Sequence, residues 1–286
     1  MTSIFPVPTT AASVAMQRTR GEGRLSVKLS DGQSRIDRLY QEGSARIRLP
    51  RVPRGVPLEA VLINTAGGLT GGDCMDWSFE AGEGTQMSLT TQACEKTYKA
   101  EGLSEAAVSV RLALAPSSAL IWLPQETILF DRARLRRTID VNMAPGARLL
   151  MIEPLVFGRL AMGEAVVSGN VRDRWRVRGS GGLLHAEETR LGPDIAAALT
   201  RSAIANGGLA MATVLMIAPE AESKLDRLRD IIGISGGASF MPGREAGTGK
   251  LLARLVAKDS YELRKILVPL IHHLNRDGGV PKVWSL

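Results

Sequence analysis

Between residues 75 and 157 the chain repeats one pattern three times: an alternating strand, a short turn, then a second apolar run. Met75, Trp77 and Phe79 share a parity, Ala81-Gly82-Glu83-Gly84 turns, and Met87-Ser88-Leu89-Thr90 alternates again. Val108, Val110, Leu112 and Leu114 alternate before Ala115-Pro116-Ser117-Ser118, and Ala119–Leu123 is apolar. Leu135, Ile139, Val141 and Met143 share a parity before Ala144-Pro145-Gly146, and Leu149–Phe157 is mostly apolar. A fourth, weaker copy runs from Trp175 and Val177 through Gly179-Ser180-Gly181-Gly182 to Leu183-Leu184. Period two marks a half-buried strand. Turns at Ala81, Ala115 and Ala144 lie 34 and 29 residues apart. Such recurrence predicts stacked coils, each burying its apolar face on its neighbours. A plain β-sandwich shows the same short strands and regular turns, and the uneven steps leave both open.

The predicted fold class is mainly β: stacked strands in a coil-like arrangement, β-solenoid or sandwich-like, with two or three helices toward the C-terminus. Residues 1–20 read as a flexible arm and 21–286 as a single β-rich domain. Leu25, Val27 and Leu29 alternate with polar residues, and so do Ala45, Ile47 and Leu49. Pro154 inside the third apolar run predicts an edge position or a bulge. Pro219 is placed in a first helical turn, with Leu225, Leu228, Ile231 and Ile232 on one face and Gly233 as the stop. Asp259 and Glu262 read as a capping pair. Leu263, Ile266, Leu267, Leu270, Ile271 and Leu274 follow helical spacing, with a kink expected at Pro269. A shorter helix is expected around 195–204, and a strand at Leu251–Val256.

The chain has 286 residues, net charge +7 and 44% hydrophobic residues, enough for a sizeable core. A basic balance opens nucleic-acid binding as a reading, but no recognition motif accompanies the charge. The two cysteines, Cys74 and Cys94, build no disulfide framework and suit a reducing compartment. No signal peptide is evident. The longest apolar run, Leu209–Ala218, is too short to cross a bilayer. The expected location is the cytoplasm, with no membrane partner.

Gly247-Thr248-Gly249-Lys250 fails as a phosphate loop, because Arg244 and Leu251 stand where Gly and Ser or Thr are needed. His272 and His273 are adjacent, so on a helix they point about 100° apart and do not share an ion. A solvated or capping role suits them better. His185 lies in a strand pattern near Glu187 and Glu188, where a transient metal contact is open. No cysteine pair has ligand spacing, and no Gly-x-Ser-x-Gly elbow is present. Two carboxylates could form a glycosidase pair, so a carbohydrate-active β-solenoid enzyme is one alternative; sparse aromatics make its stacking groove poor. What remains is Gly67-Gly68-Leu69-Thr70-Gly71-Gly72-Asp73 after the apolar run Val61-Leu62-Ile63. The glycines read as a tight double turn. Asp73 either caps its own turn or lines a polar space.

These residues carry a resemblance. The glycine segment, then Thr90-Thr91-Gln92 with Lys96 and Tyr98, resembles the UreD (UreH) family of urease accessory proteins. Leu123-Pro124-Gln125-Glu126-Thr127 with Arg134-Leu135-Arg136 is similar to that family's central motif. So are Glu153, Gly158-Arg159 and Met162-Gly163-Glu164, and Pro281-Lys282-Val283-Trp284 matches its closing pattern. Asn64-Thr65-Ala66 departs from the apolar or Pro-rich stretch common there. The resemblance implies a non-catalytic maturation chaperone. With UreF and the GTPase UreG it would dock on the urease apoprotein and pass nickel to the urease active site. It implies no tightly bound cofactor, only nickel in transit. Asp73 and Glu153 match acidic positions of the motifs, and Glu187 or Glu188 is a third candidate for lining the passage. Oxygen ligands hold nickel weakly enough to release it, whereas a Cys/His cage would trap it.

Overall fold

In the computed structural model, which describes residues 17–159, 163–243 and 249–285, the three repeated turns close alike. The amide of Thr85 donates to the Gly82 carbonyl at 3.1 Å, Ser118 to Ala115 at 3.2 Å and Ala147 to Ala144 at 3.2 Å. The turns also bond to one another. The Ala115 amide reaches the Ala81 carbonyl at 2.9 Å, Ala119 reaches Thr85 at 2.8 Å, and Arg148 reaches Ser118 at 2.8 Å. Each coil thus supplies the backbone partners of the next.

The strands are β1 (Arg20–Ser30), β2 (Gln33–Gly43), β3 (Ala45–Arg48), β4 (Leu58–Asn64), β5 (Cys74–Ala81), β6 (Gln86–Thr91), β7 (Glu95–Thr97), β8 (Ala106–Leu114) and β9 (Ala119–Leu123). They continue with β10 (Thr127–Leu129), β11 (Ala133–Met143), β12 (Arg148–Phe157), β13 (Gly169–Gly179), β14 (Gly182–Leu191), β15 (Ala210–Ile217), β16 (Gly236–Met241) and β17 (Lys250–Ala257). The helices are α1 (Ile195–Thr200), α2 (Leu225–Ile232) and α3 (Ser260–Leu274). The first sheet has the order β14-β13-β11-β8-β5-β1-β2. The second has the order β16-β17-β15-β12-β9-β6-β4-β3, with β10 beside β12 and β7 beside β10. β1, β5, β8, β11 and β13 run parallel, as do β4, β6, β9 and β12. The chain crosses between sheets at every repeated turn, β5 to β6, β8 to β9 and β11 to β12. The coil and the sandwich are therefore one object: a winding whose two walls are packed sheets.

The fourth copy ends the winding instead of extending it. β13 stacks beside β11, but Gly179–Gly182 folds the chain back as the antiparallel hairpin β13–β14 in the same sheet. Pro154 is neither at a sheet edge nor in a bulge. β12 lies between β15 and the pair β9 and β10, and its ladder passes from Met151↔Trp122 to Leu155↔Thr127. Pro154 falls in that interruption, where its missing amide costs no bond.

Two apolar cores explain the two sequence patterns. One fills the space between the sheets, with Phe79, Trp122, Leu135 and Met151 among its members. The other lies between the outer face of the second sheet and α2 and α3, with Leu150, Ile152, Val214 and Leu267. β12 and β15 are covered on both faces, so they read as continuous apolar runs. β5, β8, β11 and β13 have one face toward solvent, so they alternate. α3 starts where expected: the Asp259 carboxylate accepts from the Glu262 amide at 2.9 Å. α2 stops at Gly233, whose φ is 54°. Pro219 lies in the turn before a 3₁₀ helix at Glu222–Lys224, ahead of the first helical residue. β16 had no counterpart in the sequence reading. Residues 1–16 of the expected arm lie outside the described residues, as do Met162, Arg244, Gly247 and Thr248.

Candidate functional site

β11 turns Leu135, Arg137 and Ile139 to the interior, so a cation shares the parity of the apolar positions. β13 does the same with Val171, Asp173 and Trp175. Register sets Arg137 directly beside Asp173. Arg137 Nε donates to Asp173 Oδ1 at 3.1 Å and Nη2 to Oδ2 at 2.6 Å, a bidentate pair. From the opposite sheet, β12 brings Glu153 Oε2 to 2.6 Å from Arg137 Nη1. Nη1 also donates to Thr127 Oγ1 at 3.1 Å. Trp122 Nε1 donates to Glu153 Oε1 at 2.6 Å, and Trp175 Nε1 to Asp173 Oδ1 at 3.1 Å. Arg137, Glu153 and Asp173 are all less than a tenth exposed. One guanidinium thus serves two carboxylates in the layer between the sheets. Glu153 Oε2 is close to the cation but has no well-directed donor. Burial, with Asp173 adding repulsion, pushes the Glu153 carboxyl up to about 7 against the opposing pull of Arg137.

The glycine segment is a backbone device. Asp73 is buried; its Oδ1 accepts from the Thr19 amide and its Oδ2 from the Thr70 amide, both at 2.8 Å. The carboxylate therefore ties the turn to the strand entering β1. Leu69 joins β7: its amide donates to the Lys96 carbonyl, and the Tyr98 amide to the Leu69 carbonyl, both at 2.7 Å. Gly68 has φ 150°, and a Cβ there would meet the Tyr98 ring at 2.3 Å. Gly67 and Gly72 also have positive φ, and Gly71 packs on the Ser104 carbonyl. The Tyr98 hydroxyl donates to the Gly67 carbonyl at 3.2 Å, and its ring lies against Phe130. Lys96 and Gln92 are exposed. Asn64, where the chain departs from the common motif, donates to both oxygens of Glu95 at 3.2 and 3.3 Å. Burial pushes the Glu95 carboxyl up to about 7.

Gln125 and Glu126 close a second cluster around Arg264 of α3. Arg264 donates to Glu126 Oε1 at 3.0 Å, Glu126 Oε2 at 2.8 Å and Gln125 Oε1 at 2.9 Å. Its guanidinium also lies over the Trp284 ring at 5.2 Å. Gln125 Nε2 donates to the carbonyls of Gln92 and Val283, each at 3.1 Å. Cys94 Sγ lies 3.3 Å from Glu126 Oε2, and burial pushes its thiol up to about 12. Gln125 and Glu126 thus fasten the C-terminal segment to the second sheet.

The structure answers the register question for the third acidic candidate. Glu187 of β14 points inward and is buried, with Arg254 Nη2 2.5 Å from its Oε2. Glu188 points outward among Arg172, Arg176 and Arg190. His185 Nε2 lies 3.9 Å from Glu187 with no hydrogen-bond partner, and burial beside Lys250, Arg254 and Arg176 lowers the ring to about 4. His273 Nε2 meets the Lys224 carbonyl at 3.1 Å, and His272 is exposed. Asp73, Glu153 and Glu187 stand apart. Among the described residues no three His, Cys, Asp or Glu side chains converge on one ion position. The four tryptophans, at 77, 122, 175 and 284, are all buried and build no stacking groove. No helix among the described residues is long and apolar enough to cross a membrane. The sequence reading missed Arg137, Asp173, Glu95 and Arg264. For Arg137 and Asp173 the signal was present: each is a charge on an inward parity.

The comparisons with known proteins agree along nearly the whole chain. A family model described as UreD urease accessory protein matches residues 19–285. A urease accessory protein UreD of Mesorhizobium japonicum is 54% identical over 270 residues, covering 94% of this chain and 95% of that protein. UreD 1 of Brucella melitensis biotype 1 is 51% identical over 275 residues, covering 96% and 97%. UreD of Rhizobium johnstonii is 52% identical over 278 residues, covering 96% and 98%.

Proposed function

Since this chain belongs to the UreD family of urease accessory proteins, we propose that it is a non-catalytic scaffold of urease maturation, working in the cytoplasm. It acts with UreF and the GTPase UreG on the urease apoprotein and passes nickel inward. The observation that carries this reading is the charged cluster of Arg137, Glu153 and Asp173 in the layer between the sheets. Burying such groups costs several kcal/mol that apolar packing would not. An oxygen-lined interior suits a divalent cargo that must be released again. Glu153 is the leading passage residue, because its Oε2 is near a cation without a directed hydrogen bond. Asp73 offers only the lone pairs its two amide bonds leave over. Glu187 is held by Arg254, which a passing cation would have to displace.

The test is nickel per urease active site, measured by elemental analysis after co-expression with the urease operon. Glu153→Gln keeps the side-chain volume and removes the charge. It is expected to lower nickel loading while the complex with UreF, UreG and urease still co-purifies. Asp73→Ala is expected to act in the same direction. Full nickel content in both variants would sink the passage role. Loss of co-purification in both would instead assign these residues to folding.

A further inference from the structure

The two sheets are covered unequally. α2 and α3 lie on the outer face of the second sheet, while no described element covers the outer face of the first. That open face is dominated by arginine. β13 presents Arg172, Arg174, Arg176 and Arg178 outward at every second residue, about 6.6 Å apart along the strand. Cross-strand register places Arg136 of β11 and Arg190 of β14 on either side of Arg172, so one row of the sheet carries three guanidiniums. Three carboxylates answer these six cations. Glu188 is shared by Arg172, Arg176 and Arg190 at 2.9, 3.5 and 2.5 Å. Asp140 is shared by Arg174 and Arg178 at 3.6 and 3.2 Å, and Glu105 lies 3.5 Å from Arg136.

We propose that this outer face of β11, β13 and β14 is a docking surface for an acidic protein surface. On the function proposed above, on which this inference rests, that surface belongs to the urease apoprotein. Each guanidinium has five donors in a fixed fork, and a shared carboxylate leaves most of them free except at Arg176, whose Nη1 also donates to the Trp175 and Glu187 carbonyls. Exposed ion pairs add little to stability, so the arginines change partners at little cost. Three strands at about 4.8 Å and some ten residues at about 3.3 Å give roughly 480 Å², and the same face continued across β8 and β5 reaches about 800 Å². That is enough for a standard interface of about 800 Å² per partner. Arginine is also the charged residue enriched at protein interfaces. A single-stranded nucleic acid would want aromatic platforms between the cations, and β11, β13 and β14 turn no aromatic outward.

The experiment is binding of urease apoprotein to the full chain by biolayer interferometry, at 50 and 300 mM salt. Three forms are compared: the wild type, R136E/R172E/R178E, and a control set R54E/R227E/R276E. The control changes the net charge equally, at exposed sites away from β11, β13 and β14. The face set is expected to weaken binding at least tenfold and the control set less than threefold. R136Q/R172Q/R178Q, gentler to the fold, is expected to fall between them, with far-ultraviolet circular dichroism unchanged. Equal losses in the face and control sets would overturn the proposal, since net charge alone would then matter. So would an unchanged affinity in the face set. Wild-type chain that fails to bind at 50 mM salt would sink the scaffold reading together with this one. A 20-nucleotide single strand that binds through the same arginines, while urease apoprotein binding is indifferent to them, would replace the protein partner by nucleic acid.

Discussion

Glu153 sits where its charge is poorly served: Arg137 is near, but Asp173 already holds that guanidinium in a bidentate grip. The folded carboxyl, pushed up to about 7, therefore holds its proton where the unfolded one, near 4.3, has lost it. Folding then takes up a proton between these values, and stability falls as pH rises through that window. The stabilisation of the protonated form is complete below about 4.3 and lost above about 7. Glu95 adds a contribution of the same sign in the same range. His185 opposes both, because its lowered value makes stability rise with pH from about 4 to 6.5. The raw pH profile mixes the three, so the readout is a difference between variants. The urea midpoint of Glu153→Gln is expected to gain on that of the wild type as pH goes from 5 to 8. Measured by tryptophan fluorescence, a constant difference would show that Glu153 is ionised throughout.

Among the elements, the C-terminal segment and α3 act as one fastening. Trp284 is 2% exposed, and its indole nitrogen lies 3.2 Å from the Leu123 carbonyl and 3.3 Å from Thr90 Oγ1. Arg264 covers its ring and reaches back to Gln125 and Glu126, so the Leu123 carbonyl of β9, the Thr90 hydroxyl of β6 and a side chain of α3 meet on one indole. Removing a buried tryptophan costs about 3–5 kcal/mol through lost contact and the cavity left behind. Trp284→Ala is expected to lower stability by that order. It should also raise amide exchange in α3 more than in β5 or β8, because α3 loses its partner and the coil does not. Uniform exchange across the chain would mean that the fastening is no separate unit. The glycine segment works as another junction. It inserts Leu69 beside β7 and uses Tyr98 as a cover, which explains why Gly68 tolerates no side chain.

Across the whole molecule, the winding leaves the second sheet apolar on both faces, and the chain beyond β14 supplies its outer cover. A chain ending at Leu191 would keep most of the coil but expose Leu150, Ile152 and Val156 of β12. It is expected to be insoluble, or to bind a hydrophobic dye strongly, whereas the full chain does not; a soluble, dye-silent truncation would contradict the two-core account. The coil itself was legible from residue parity, because a strand with one wet face must alternate and a turn must recur once per coil. The helices were legible from their spacing and stop signals, and the family from the ordered motifs. Pro154 and the fourth turn were misread because ladder gaps and hairpins depend on which strand lies alongside, and local pattern does not carry that. The same limit hid the charged interior. Arg137 and Asp173 announced inward charges by parity, yet their neutralising partner Glu153 comes from the opposite wall. Local chemistry sets which way a side chain faces. Which groups then meet across two sheets depends on how the coils stack, and that is a property of the assembled fold.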